Sequence, residues 1–547
     1  MSTLSKNENR VLVPAWSKSN EAAYSSEMKS LKTKEKPSSN LSCLDTLYHE
    51  FTQNANIGIA IELLSVSYTE DDILKAKKSA SYIVQSGKKI PKALFDFCNK
   101  LLNDKRILSD ESNDIYDQIK TKRRWLKNNP KDCICWIDLA RLYMSIGQIE
   151  PAEKAIIIGL SLSNNNRWVT RVSSRFFYNL TEYERAHQIL LKHPNIKNDP
   201  WLLASELAVS TSYGRNTKLW SRAKRLIESD YSKYHMSELH SAIGTLELNS
   251  GAIKKSKGYF RDSLEFPNGN VFAQAKWAEK KGNIKGLVPH ARLNSYTRAY
   301  EAKCRESYAC QDMENALLYA KKWFEEEPYS SIPTLHASFI SSLLENYSFA
   351  YEISKHGLKI EPHNETIKLN VIFSKFSLEQ YENKVSIHES FNEAFDKIEA
   401  ILTHTLNDET KAHAFANLGL IHYRAGRVDE GRNYYKMAAD LFMKQDHPSV
   451  ALAEIMNLRE SLIANTSWKE ESFEYVEKMT KSNSGSSWSE PFVSYYLTKL
   501  HKIRHNSSRW RELLAEPISI NLEKQRISEV KFDFNQKRPT IWLPNKR

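Results

Sequence analysis

Arg141 and Arg175 are the two residues whose type and placing point furthest toward chemistry. They stand 34 positions apart, with Arg171 one helical turn before Arg175 and Tyr178 three residues after it. A row of guanidinium groups beside a phenol suits bidentate capture of carboxylates, so its ligand would be an acidic or extended protein segment. Arg305 extends the row if a later, less regular stretch is aligned on the same spacing. Pairing with Asp or Glu of neighbouring helices is the competing reading of the same arginines, and both stay open at this level.

A second group is basic and aromatic. The run IKTKRRWLKNNPK, residues 119–131, places Lys120, Lys122, Arg123, Arg124, Lys127 and Lys131 around Trp125. Such interleaving can hold single-stranded RNA or DNA. A solvated helix face with Trp125 buried behind it is the plainer reading. The stretch LTKLHKIRHNSSRWREL, covering the basic helix near 499–511, poses the same choice.

Residues that could support catalysis or bind metal lack partners at working spacing. The six cysteines form no CxxC pair. Cys133 and Cys135 would point about 200° apart on a helix and cannot share a metal. Ser86-Gly87-Lys88-Lys89 lacks the upstream glycine and the hydroxyl of a phosphate-binding loop, and no GxGxxG, HExxH or GxSxG occurs. His413 and His422 sit nine residues apart without a companion nucleophile. Glu70, Asp71 and Asp72 read as an acidic helix start capped by Thr69 rather than as a metal cluster. No catalytic residue, metal or cofactor is expected, and the chain is expected not to be an enzyme.

The elements that must position these residues follow from the rest of the text. The chain has 547 residues, 41% of them hydrophobic, with only 16 Gly and 17 Pro. That length exceeds one core, and the scarcity of turn residues disfavours an all-β fold. A net charge of +12 favours acidic partners without saying anything about fold. No long apolar run suggests a membrane span, MSTLSKNENR does not read as a secretory signal, and the cysteines fit a reducing compartment, so a cytoplasmic protein is expected. Residues 1–40 read as a flexible tail holding a short apolar motif, VLVPAW, at 11–16. Residues 41–130 read as a helical region, with helices expected near 73–84, 90–102 and 110–126.

The spacing of Arg141 and Arg175 is one instance of a wider period. Overlaying 133–166 on 167–200 aligns Ala152 with Ala186 and Tyr143 with Phe177. The same offset relates Ala316 to Ala350 and Pro328 to Pro362. Trp136, Leu139, Ala140, Tyr143 and Ala152 carry the pattern W-x2-L-G-x2-Y…A, and Phe415, Leu418, Gly419, Gly431 and Tyr435 carry it again. In these residues the chain resembles the tetratricopeptide repeat family, whose unit is a pair of antiparallel helices. The resemblance implies an all-α, right-handed superhelical solenoid, with its first helices lining the concave face. Small residues such as Ala140 and Ala152 should mark helix crossings, Gly147 a left-handed cap, and Pro328 and Pro362 helix ends.

The expected organisation is a first arm at 131–282, an irregular hinge at 283–296, a second arm at 297–445, a helical cap at 446–515 and an extended basic tail at 516–547. Lys303 occupies a place where a buried Leu would be expected, and 365–410 is longer than one unit. The functional expectation is a protein–protein interaction scaffold, compatible with one half of a multi-gene effector or regulatory system. Its concave face would use Arg141, Arg171, Arg175, Tyr178 and Arg305. The alternative is nucleic-acid binding through Lys122, Arg123, Arg124 and Lys127.

Overall fold

The computed structural model describes residues 43–516 apart from 70–71, 88–89, 91, 104–114, 164, 213, 216, 230, 232, 285, 297, 379–383, 446 and 483–486. The expected tails, the 11–16 motif, Glu70 and Asp71 lie outside the described residues. Every regular element among the described residues is helical. Helices follow one another as antiparallel pairs. The central ones are Cys133–Ser145 with Ile149–Leu162, Arg167–Asn179 with Tyr183–Leu191, and Lys233–Asn249 with Ile253–Ser263. Tyr300–Ala309 with Met313–Glu326, Ser331–Leu343 with Tyr347–Ile360, and Asp408–Arg424 with Val428–Lys444 continue the series. The result is an all-α solenoid.

Local chemistry sets the pair boundaries. The Asp132 carboxylate accepts from the Cys135 amide at 3.0 Å, and Asn166, Asp312 and Asn346 cap later helices in the same way. Between the two helices of a pair the chain turns through one left-handed residue. Gly147 takes it with φ 75°, and so does Thr181 at 61°, 34 positions on; Gln311 and Glu345 repeat the relation at 62° and 61°. The turn is therefore part of the period even where no glycine marks it, at a cost of roughly 1–2 kcal/mol for each non-glycine residue.

The crossings carry the small residues expected of them. Ala140 and Ala152 are fully enclosed. In the later pair, a Cβ on Gly419 would lie 2.6 Å from the Tyr435 ring, and one on Gly431 would lie 2.6 Å from the Tyr423 ring. Each glycine is thus the socket for a tyrosine of the other helix. Met313–Glu326 and Tyr347–Ile360 end just short of Pro328 and Pro362, as their positions require.

Several expectations need correction. Thr69 ends the helix Ile57–Thr69, and the cap of the next helix is Asp72, which accepts from the Lys75 amide at 3.0 Å. Of the helix expected over 110–126, the described part is Ile115–Asn128, and 110–114 lie outside the described residues. The basic helix expected near 499–511 is broken, with Pro491–Ile503 followed by a 3-10 turn at Ser507–Arg509 and then Trp510–Ala515. Among the described residues of the irregular 283–296 stretch, only six, His290–Ser295, are helical. Leu287, Val288 and Leu293 are buried there in one cluster with Trp277 before them and Ala302 after them. Lys303 is buried where a Leu would stand, its ammonium 5.6 Å from the Tyr319 ring centre, and burial lowers its pKa.

The superhelix brings distant pairs together. Tyr329 belongs to the hydrophobic cluster that holds Ile137, Phe176 and Trp201. The Gly147 turn lies directly against the backbone of Lys359. The early pairs therefore meet the 327–360 region at close range.

Candidate functional site

One face of helix Arg167–Asn179 presents Arg167, Arg171 and Arg175 at successive turns, and the fold supplies each with a carboxylate. Arg167 pairs with Asp199 at 3.6 Å and stacks on Trp201 with 4.2 Å between the guanidinium carbon and the ring centre. Arg171 donates from Nε to the Ser205 hydroxyl at 2.9 Å and from Nη2 to Glu238, whose other oxygen accepts from Asn268 at 2.8 Å. Burial pulls the Arg171 pKa down, and Glu238 opposes the shift. Arg175 pairs with Glu327 at 3.5 Å, and Glu327 also accepts from the Trp323 indole at 3.1 Å.

The other expected members of the row behave differently. Tyr178 is half-buried, its ring 5.1 Å from that of Tyr183, and burial raises its hydroxyl pKa. Arg305 pairs within its own helix with Glu301 at 3.1 Å and lies 5.8 Å from the Trp323 ring. Arg141 is 6% exposed; its Nε is enclosed without an acceptor. No carboxylate pairs with it among the described residues. It alone of the four expected arginines is a buried cation without a counter-charge.

Arg167 was not singled out by sequence reasoning, although its place one turn before Arg171 was readable. Nor was a second buried network, in the later half. There Arg459 is fully enclosed and bonds Glu345 at 2.8 Å, as well as Glu460. Glu460 also receives Arg424 at 2.9 Å, and Glu345 receives the Tyr347 hydroxyl at 3.1 Å and the Tyr496 hydroxyl. The left-handed turn at Glu345 is what aims its carboxylate into this network. Charged residues in a degenerate repeat give no sign in sequence of such long-range pairing.

The basic run is exposed on helix Ile115–Asn128. Lys122 is tied to Asp138 at 3.0 Å, whereas Arg123, Arg124 and Lys127 are exposed. Trp125 is not buried: it is 46% exposed, with its indole donating to Asp132 at 2.9 Å. Three basic residues of the second stretch are engaged internally. Lys499 is enclosed and donates to the Leu514 carbonyl at 2.6 Å, Lys502 pairs with Glu516 at 3.0 Å, and Arg504 pairs with Glu470 at 2.7 Å.

The remaining candidates are core residues. His413 packs against the Phe442 ring at 4.8 Å, and His422 lies buried between Phe391 and Tyr434, where burial lowers its pKa. Cys135 is buried and its thiol is pushed up to about 12. No group of three or more His, Cys, Asp or Glu able to hold a metal occurs among the described residues. No helix among them is long and apolar enough to cross a membrane.

The Arg171–Ser205 bond spans one 34-residue period, as does the 2.9 Å bond from the Tyr423 hydroxyl to Asn457. Side chains one repeat apart are thus direct neighbours. The fold is a tetratricopeptide-like solenoid. No protein-family model matches this chain, and no curated protein matches it. Solved structures that match over much of its length include a human IFIT1 dimer with PPP-AAAA, 14% identical over 73% of this chain and 94% of that one, with a TM-score of 0.30. The APC/C hetero-tetramer Cut9–Hcn1 matches at 12% identity, covering 84% and 92%, with a TM-score of 0.30. Yeast Tom70 matches at 10% identity, covering 89% and 99%, with a TM-score of 0.28.

Proposed function

We propose that this chain is a non-catalytic protein-binding solenoid whose inner face receives an acidic, extended segment of another protein, with Arg141 taking one of its carboxylates. The unpaired state of Arg141 carries this reading. A guanidinium stays protonated in proteins, and enclosing one without a counter-charge is costly. Asp199, Glu238 and Glu327 meet the charges of Arg167, Arg171 and Arg175. The charge of Arg141 is left for an incoming group.

The position fits that role. Arg141 stands six residues before Gly147, about 9 Å along the helix axis from the turn that meets Lys359. A segment bound there would touch both parts of the superhelix. Arg171 and Arg175 then act as the paired walls of the site rather than as ligands.

The test uses the full chain and a fluorescent hexaglutamate peptide. Wild-type protein is expected to bind it in a salt-dependent way, and Arg141→Met to weaken binding at least tenfold without lowering the melting temperature. Equal affinity of the two proteins, or no binding by the wild type, overturns the reading.

A further inference from the structure

The outer face of helix Ile115–Asn128 carries a surface that the proposed function does not use. The back of the helix is docked: Ile119 and Leu126 are buried with Cys135, Leu139 and Leu142. At 100° per residue, Tyr116, Lys120, Arg123, Arg124 and Lys127 fall within an arc of about 100° on one flank, its centre about 100° round the helix from Ile119 and Leu126. All five are exposed, Tyr116 by 64%. No carboxylate pairs with Lys120, Arg123, Arg124 or Lys127 among the described residues. Basic side chains elsewhere, such as Lys122, Arg185, Arg504 and Arg509, are held in ion pairs. Here four cations without a carboxylate partner share one exposed stripe beside a tyrosine ring.

We propose that this stripe binds single-stranded nucleic acid. Its cations would track successive phosphates, and Tyr116 would offer a ring for a base to stack on. An acidic protein would satisfy the same charges but would have no use for an exposed ring at the end of the stripe. Trp125 is excluded from the contact even though it interrupts the basic run. It lies on the other flank of the helix, held by Asp132. The site is separate from Arg141 and stands or falls independently of it.

The experiment measures fluorescence anisotropy of a labelled oligouridine 12-mer with the full chain across a salt series. Wild-type binding is expected to weaken linearly on a log–log salt plot. The Lys120→Ala/Arg123→Ala/Lys127→Ala variant should lose more than tenfold in affinity and flatten the slope by about 2. Tyr116→Ala should lose about fivefold or more, and Tyr116→Phe should recover it, since stacking needs the ring and not the hydroxyl. Trp125→Phe and Arg141→Met should stay within twofold of wild type. These substitutions are at exposed positions or leave the core volume intact, and circular dichroism melts check folding. No binding by the wild type, an unchanged triple variant, or displacement of the oligonucleotide by polyglutamate at equal charge concentration would overturn the proposal, the last in favour of an acidic protein.

Discussion

Gly147 and Lys359 are in backbone contact: a Cβ on Gly147 would lie 1.9 Å from the Lys359 carbonyl oxygen. The glycine also holds φ at 75°. The turn that closes one helix pair is therefore also the seat on which a pair two hundred residues later rests. The Arg175–Glu327 ion pair and the burial of Tyr329 among early-repeat residues reinforce the same junction. It gives the solenoid a fixed relation between its first and later pairs, and it frames the surroundings of Arg141.

Substituting Gly147 separates these two demands. Gly147→Ala faces the left-handed backbone cost of about 1–2 kcal/mol and must also push Lys359 away. Gly426 makes the equivalent turn at φ 77° with nothing within 4 Å of its would-be Cβ. Gly426→Ala is expected to cost only the backbone part, and Gly147→Ala to cost about 3 kcal/mol or more and to enlarge the radius of gyration by X-ray scattering. Equal losses in urea unfolding would show that the junction adds nothing to stability.

The buried arginines should respond in opposite directions. Arg171→Met leaves Glu238 enclosed without its cation and is expected to cost about 3–5 kcal/mol. Arg141→Met removes a charge that had no partner and fills the space with thioether and methylene, so it is expected to leave stability unchanged or raise it by about 1 kcal/mol. Thermal melts at pH 7 read both. A destabilised Arg141→Met protein would mean that the free cation has an internal role.

The repeat was readable because packing at helix crossings restricts residue type. Ala140, Ala152, Gly419 and Gly431 are small for a geometric reason, and geometry with a fixed period leaves a fixed mark in the sequence. The left-handed turns at Thr181, Gln311 and Glu345 obey the same period but are not glycines, so they left none. The arginine row was visible as a spacing, yet whether each member was paired was not. Glu238 and Glu327 come from helices 67 and 152 positions away from Arg171 and Arg175, and only the superhelix brings them close. A joint Arg141→Glu and Arg175→Glu change is for that reason a poor probe of binding alone, since the new carboxylate at position 175 would face Glu327. The basic run misled in one detail. Period alone places Trp125 and the cations on different flanks, and Tyr116, outside the quoted run, shares theirs.

Glu454 gives the fold a pH dependence of known sign. Burial, followed by the nearby Asp440, pushes its carboxyl from 4.5 up to about 7, while Arg432 and Lys436 act in the other direction. Tyr475, whose own hydroxyl is raised by burial and by Glu454, shares that surrounding. Because the folded-state value is the higher one, the native protein keeps a proton between about pH 4.5 and 7 that the unfolded chain has released. The stabilisation from this group is complete below pH 4.5 and is lost as pH rises through 7, where a charged, half-buried carboxylate is left near Asp440. Glu454→Gln is neutral at every pH, so it should be close to wild type at pH 5 and more stable by about 1–3 kcal/mol at pH 8. Denaturant unfolding at the two pH values measures the difference directly. Parallel stability–pH profiles for the two proteins would show that Glu454 is ionised at neutral pH like an ordinary surface carboxylate.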